Sequence, residues 1–124
     1  MTVNEAINTA ELRMPGNSYS ADDKIRWLCT LEVMWARFLR QLGFNAENVS
    51  INQEDGERKL MIEQPYDEVY VMWLVMKMHY YNGEIELYNN SAEGFNKMFE
   101  EAKKAFLRDN TPKKRTSFSS YKEV

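Results

Sequence analysis

The sequence predicts a mainly α fold, a small four-helix domain, and three observations carry that prediction. Apolar residues recur at helical spacing in four separate stretches. The junctions between stretches carry helix start and stop signals, among them Pro15-Gly16, Ser20, Gly43 and Asn82-Gly83. Strand-like alternation is confined to one short region, Phe44 to Gln64. A chain of 124 residues is the length of one domain. Residues 1–111 form the predicted helical domain and residues 112–124 a flexible basic C-terminal arm.

The first helix is expected over Thr2 to Arg13, with Val3, Ala6, Ile7 and Ala10 on one side, and Pro15, Gly16 and Asn17 end it. Ser20 is a good N-cap for the second helix, and Asp23 three residues on completes a capping box. That helix should run from Ala21 to Leu42 and stop at Gly43. Its stripe of Ile25, Leu28, Leu31, Trp35, Phe38, Leu39 and Leu42 is flanked by Trp27 and Met34. Such a wide stripe marks a central helix or one that touches another chain. Arg26, Arg37 and Arg40 cover the remaining face.

Between Phe44 and Gln64, Val49 and Ile51 alternate with polar neighbours, as do Leu60 and Ile62, around an Asp55-Gly56 turn. A short β-hairpin and an extended acidic loop are both consistent with this pattern, an isolated hairpin being only marginally stable. Pro65 suits the first turn of a third helix. There Val69 to Met76 is apolar on every side, so this helix must be surrounded, and in so small a domain neighbouring subunits are one way to surround it. Asn82-Gly83 breaks it. The fourth helix is expected to start at Asn90 as N-cap, with Glu93 three residues later. Phe95, Met98, Phe99, Ala102, Ala105 and Phe106 form its stripe, and Pro112 prevents continuation. On this reading Asn82, Gly83, Asn89 and Asn90 organise the connection between helices three and four.

Chemistry is harder to find. The single cysteine, Cys29, excludes an intrachain disulfide framework and a multi-cysteine zinc site. Cys29 and His79 are the one candidate pair for nucleophilic catalysis, yet both lie in apolar helices rather than on turns. A calcium loop with Gly56 as its sixth residue would begin at Ile51, which cannot ligate. No Gly-rich phosphate loop or nucleophile elbow occurs. No catalytic, cofactor or metal residue is therefore predicted, and a non-enzymatic role is expected. The N-terminus lacks the pattern of a secretion signal, and the longest apolar run falls far short of the ~20 residues of a membrane span. A soluble, intracellular protein is expected, with no membrane partner.

The formal net charge of −3 is unevenly spread: Thr111 to Val124 carries +3, which leaves −6 on the rest. Lys113, Lys114 and Arg115 could steer onto an acidic surface, with Phe118 and Tyr121 as anchors, so these five residues form a candidate docking arm. Tyr66, Tyr70, Trp73, Tyr80 and Tyr81 supply aromatic bulk to the third helix, and Tyr66, Tyr70, Trp73 and Tyr80 are the candidate core or subunit-interface residues.

The run from Pro65 to Pro112 resembles the small head–tail connector proteins of tailed phages, also called adaptor or head-completion proteins. The resemblance rests on Asn82-Gly83-Glu84, Tyr88-Asn89-Asn90, Phe95-Asn96 and Pro112, with SYSADDKIRWL similar to the family's early helix. It implies a structural virion protein at the head–tail interface, present in the host cytoplasm during assembly. There it would form a ring of about twelve copies under the portal protein, a closed cyclic assembly. The implied partners are the portal, a tail-side connector or stopper protein, and DNA that passes through without sequence-specific binding. The docking arm would then reach the portal. A second reading is a small prophage regulatory or adaptor domain that binds a protein through its aromatic surface. A third, a helical DNA-binding protein reading through the arginines of helix two, conflicts with the acidic body.

Overall fold

The structure, a computed structural model, describes residues 1–110. Within them four α-helices follow one another: α1 (Val3–Arg13), α2 (Ala21–Gln41), α3 (Glu68–Tyr81) and α4 (Ile85–Asn110). The predicted four-helix, mainly α fold is what forms. No strand occurs among the described residues.

The starts of α1 and α2 are built as reciprocal caps. Thr2 and Glu5 exchange backbone and side-chain hydrogen bonds at α1, and Ser20 and Asp23 do the same at α2. Each box satisfies two N–H groups that would otherwise lack partners.

The alternating residues of Phe44 to Gln64 form a loop, not a hairpin. It contains a short 3-10 segment, Gln53–Asp55, capped by Asn52. The alternation reports burial all the same, for Ile51, Leu60 and Ile62 lie in the core. Rather than forming a strand ladder with the first half, the second half bonds to the start of α1. Val3 N–H donates to the Arg58 carbonyl (3.1 Å), Asn4 N–H to that of Gly56 (2.9 Å), and Leu60 N–H to the Met1 carbonyl (2.9 Å). The free N–H groups of the first turn of α1 offer partners that a lone hairpin would have to find within itself.

Pro65 falls in the turn before α3 instead of its first turn, and the helix begins at Glu68. Helix α3 is the centre of the molecule and packs against α1, α2 and α4. Val69, Tyr70, Val71, Trp73, Leu74, Met76 and Met78 are all buried, which explains a segment apolar on every side. The other three helices of the same chain surround it. The packed rings of α2 and α4 close the second layer: Trp35 meets Phe99 and Phe106, each at 5.9 Å between centroids. Gly94 lets α4 approach closely, since a Cβ there would lie 3.2 Å from Met72 Cε.

Two charged side chains sit inside. Lys24, 2% exposed, pairs with the Glu11 carboxylate and donates to the Tyr19 carbonyl at 3.0 Å, tying α2 to α1. Glu32, fully buried, accepts from Tyr70 Oη at 2.5 Å and from Met61 N–H at 2.9 Å, while Tyr70 Oη accepts from Ile62 N–H at 2.8 Å. Burial raises the Glu32 carboxyl above its usual range, outweighing the hydrogen bonds from Tyr70 and Met61 that favour the anion. Burial, then the neighbouring Glu32 charge, pushes the Tyr70 hydroxyl up as well. This pair pins the loop at residues 61–62 to α2 and α3.

Candidate functional site: an aromatic tip and a groove at opposite ends of α4

The turn from α3 to α4 is shorter than the asparagine-rich sequence suggests. Asn82, Gly83 and Glu84 alone form it, and Ile85 already begins α4. Asn89 and Asn90, expected in the connection, instead lie exposed within the helix. The physical reason is continuity. The Glu84 carbonyl accepts the Tyr88 N–H at 2.8 Å, and Tyr88 and Ala92 extend the apolar stripe backward from Phe95. The modest helix penalty of two asparagines, below about 0.7 kcal/mol each, does not outweigh that packing.

Gly83 ends α3 with φ +74°, a conformation glycine adopts without a Cβ penalty. Its N–H bonds to the Tyr80 carbonyl (3.1 Å), and the Glu84 N–H to that of His79 (3.0 Å). A polar network fixes the turn from outside. Tyr19 Oη donates to Asn82 Oδ1 at 2.6 Å, Asn82 Nδ2 donates to Glu84 Oε1 at 3.2 Å, and His79 Nδ1 lies 2.8 Å from that same oxygen. Hydrogen bonds from His79 and Asn82 hold the Glu84 carboxyl below its usual range.

Around this turn the rings are locked together. Tyr81 stacks on Trp27 at 5.6 Å with planes 8° apart, Tyr19 meets Trp27 edge-on at 5.5 Å, and Tyr80 touches Tyr81 and Tyr88. Yet Tyr80 and Tyr81 remain 57% exposed, Ile85 72% and Leu87 49%. Four large apolar or aromatic side chains therefore face water at a single hydrogen-bonded turn. Surfaces of this kind mark interaction sites more often than chance exposure does. Tyrosines already held in place lose little entropy when a partner covers them.

At the far end of α4 a groove of about 590 Å³ opens between α2, the loop at residues 61–66, and the last turns of α4. Trp35, Leu39, Met61, Tyr66 and Phe106 supply its apolar lining, and Glu63, Arg108 and Asp109 its charge. With a rise of 1.5 Å per residue, Ile85 at the tip lies roughly 25–37 Å along α4 from the groove wall at Ala102 to Asn110.

The four aromatic residues singled out from sequence do not form one site. Tyr70 is a core residue bonded to Glu32. Trp73 is buried, its Nε1–H donating to the Trp27 carbonyl at 2.7 Å, with Lys77 Nζ 4.6 Å from its ring. Tyr66 lines the groove, and Tyr80 belongs to the tip. Lys113, Lys114, Arg115, Phe118 and Tyr121 lie outside the described residues. Cys29 and His79 have separate partners, the Val49 carbonyl and Glu84. Among the described residues no group of three or more His, Cys, Asp or Glu side chains is placed to hold a metal ion, and no helix is long and apolar enough to cross a membrane.

Sequence reasoning passes over Tyr19, Ile85, Leu87 and the buried Glu32, and counts Tyr81 only as aromatic bulk. For Glu32 a signal is present: it stands at helical spacing from Leu28 and Trp35, inside the apolar stripe. No protein-family model, curated protein or solved structure matches this chain.

Proposed function

We propose that this chain is a structural assembly subunit, and that its assembly is the ring joining a phage portal to the tail. The observation that carries the assembly reading is the rigid, water-facing aromatic tip around Asn82–Glu84. A groove at the other end of α4 supports a subunit that meets different neighbours at its two ends. Such head-to-tail contacts close into rings when the rotation between copies allows it. The destination, a portal, rests on the resemblance carried by Asn82-Gly83-Glu84 and the residues after it. In this reading the tip contacts an adjoining subunit, the arm from Lys113 to Tyr121 reaches the portal, and DNA passes without sequence-specific contacts.

The test is capture of the full chain by the portal ring encoded beside it, with particle size measured on the product. Ring-stoichiometric binding that is lost in Ile85→Glu/Leu87→Glu supports the proposal. No binding of the full chain at moderate salt overturns the connector reading. Capture of a different, single protein partner through the same tip would establish the adaptor alternative instead.

A further inference from the structure

The aromatic tip presents acids beside its rings, and the far end of α2 presents arginines with no acid beside them. We infer that the tip of one copy docks against the outer face of α2 on a second copy, with Glu84 and Glu86 meeting Arg37 and Arg40. This contact rests on the assembly reading and names the surface that the tip meets.

The tip is the acidic side. Glu86 is exposed in the first turn of α4 and has no ion pair among the described residues. Glu84 accepts from Asn82 and faces His79 through Oε1, and no bond among the described residues engages its Oε2. The bonds from His79 and Asn82 hold this carboxyl below its usual range, so at neutral pH it is an anion with one oxygen left over. Next to the two acids stand the exposed rings of Tyr80 and Tyr81. Rings beside carboxylates suit a guanidinium, which stacks on an aromatic face and donates to carboxylate oxygens.

Helix α2 supplies that group. Arg37 and Arg40 are exposed, and neither has a carboxylate partner among the described residues. Arg13, Arg26 and Arg108, by contrast, pair with Glu68, Asp23 and Asp109. No acid follows Glu32 in α2, and Glu32 itself is buried. Arg40 donates to the Ala46 carbonyl at 2.9 Å and suits the negative end of the helix dipole, a local role that accounts for part of its placement. Arg37 has no bond of that kind. Helical spacing sets it on one face with Thr30, Met34 and Gln41, all exposed. This face thus joins an open guanidinium to an apolar side chain, Met34, as the tip joins open carboxylates to Ile85 and two tyrosines.

Within one chain the two surfaces stay apart. Tyr81 stacks on Trp27, so the tip adjoins the first half of α2, whereas Trp35 packs on Phe106 near the end of α4. Arg37 and Arg40 stand roughly 15–20 Å beyond Trp27 along the helix, out of reach of their own tip. Complementary charge at opposite ends of a subunit favours a head-to-tail contact between copies.

Two charge reversals in the full chain test the contact, Glu86→Arg and Arg37→Glu. Both positions are exposed, so Tm should match wild type. In sedimentation equilibrium over a concentration series at low salt, wild type should self-associate. Each variant alone should associate roughly tenfold more weakly or worse, because like charges then face each other. An equimolar mixture of the two should recover association, since the acidic tip of the Arg37→Glu chain meets the basic face of the Glu86→Arg chain and the other contact pairs swapped charges. If the mixture does not recover, the pairing is overturned. If Arg37→Glu associates as wild type does while Ile85→Glu/Leu87→Glu does not, the tip meets another surface, which overturns this contact and leaves the assembly reading in place. A wild-type chain that stays monomeric throughout overturns the contact between free copies, and portal capture then decides the connector reading separately.

Discussion

Tyr70→Phe tests the internal pin most directly, because phenylalanine fills the same space and removes only the hydroxyl. That hydroxyl does two things. It accepts the buried Ile62 N–H at 2.8 Å and donates to the buried Glu32 carboxylate at 2.5 Å. Without it, Ile62 N–H has no partner, which costs about 1–3 kcal/mol, and Glu32 loses a charge-assisted bond worth about 1.5–3 kcal/mol. The combined loss should be about 3–5 kcal/mol from a domain whose stability lies in the range of ~5–15 kcal/mol. Urea unfolding followed by tryptophan fluorescence at neutral pH should show a lower midpoint with an unchanged slope, and Tm should fall by roughly 10–20 °C. A loss below about 1 kcal/mol would mean that the two bonds contribute nothing net, and the pin would have to be abandoned. A cycle with Glu32→Gln sharpens the result. If the two groups act together, the double variant should lose clearly less than the sum of the single losses.

The same pair predicts a pH dependence. Because folding raises the Glu32 carboxyl, its contribution is fully present below its unfolded value of 4.5 and fades as pH rises through the higher folded value. The stability gap between wild type and Glu32→Gln should therefore narrow from about pH 4 upward; a gap that widens would contradict the sign. At the turn, Gly83→Ala forces an alanine to φ +74° and should cost about 1–2 kcal/mol, read as a lower urea midpoint. Ile85→Glu with Leu87→Glu changes one side chain that is mostly in water and one that is about half so, and Tm should hold within the equivalent of about 0.5 kcal/mol per site. Sedimentation of the assembled form should nevertheless show loss of association; unchanged association would remove the tip from the interface.

How much can be read in advance depends on the range of the interaction. Helix starts and stops are local, so the Ser20–Asp23 box and the break at Asn82-Gly83 are legible in the residues themselves. So is burial, since the periodic stripes of α2 and α4, and even the alternation of Ile51, Leu60 and Ile62, report which side chains avoid water. The start of α4 is the exception, because Asn90 resembles a cap when only its near neighbours are considered. What overrides it is packing against other helices by Tyr88 and Ala92, which precede Phe95 on the same stripe. Between Phe44 and Gln64 the residues leave loop and hairpin both open, and the loop forms for a similar reason: its partners lie on α1, some fifty positions away along the chain.

The number of helices among the described residues and most of their boundaries follow from the residues alone. Side-chain periodicity and capping chemistry act within a few positions along the chain, so they survive without any knowledge of the fold. Other features exist only once the helices have packed. Tyr70 meets Glu32 across 38 positions, and Tyr19 reaches Asn82 across 63. Packing also selects which aromatic residues of α3 stay in water: Trp73 is enclosed by α2 and α4, while Tyr80 and Tyr81 extend past the helices that cover the rest. Those outcomes depend on how helices of different length lie against one another. No local pattern encodes that, because the same apolar side chain is core or surface according to what the rest of the chain places beside it.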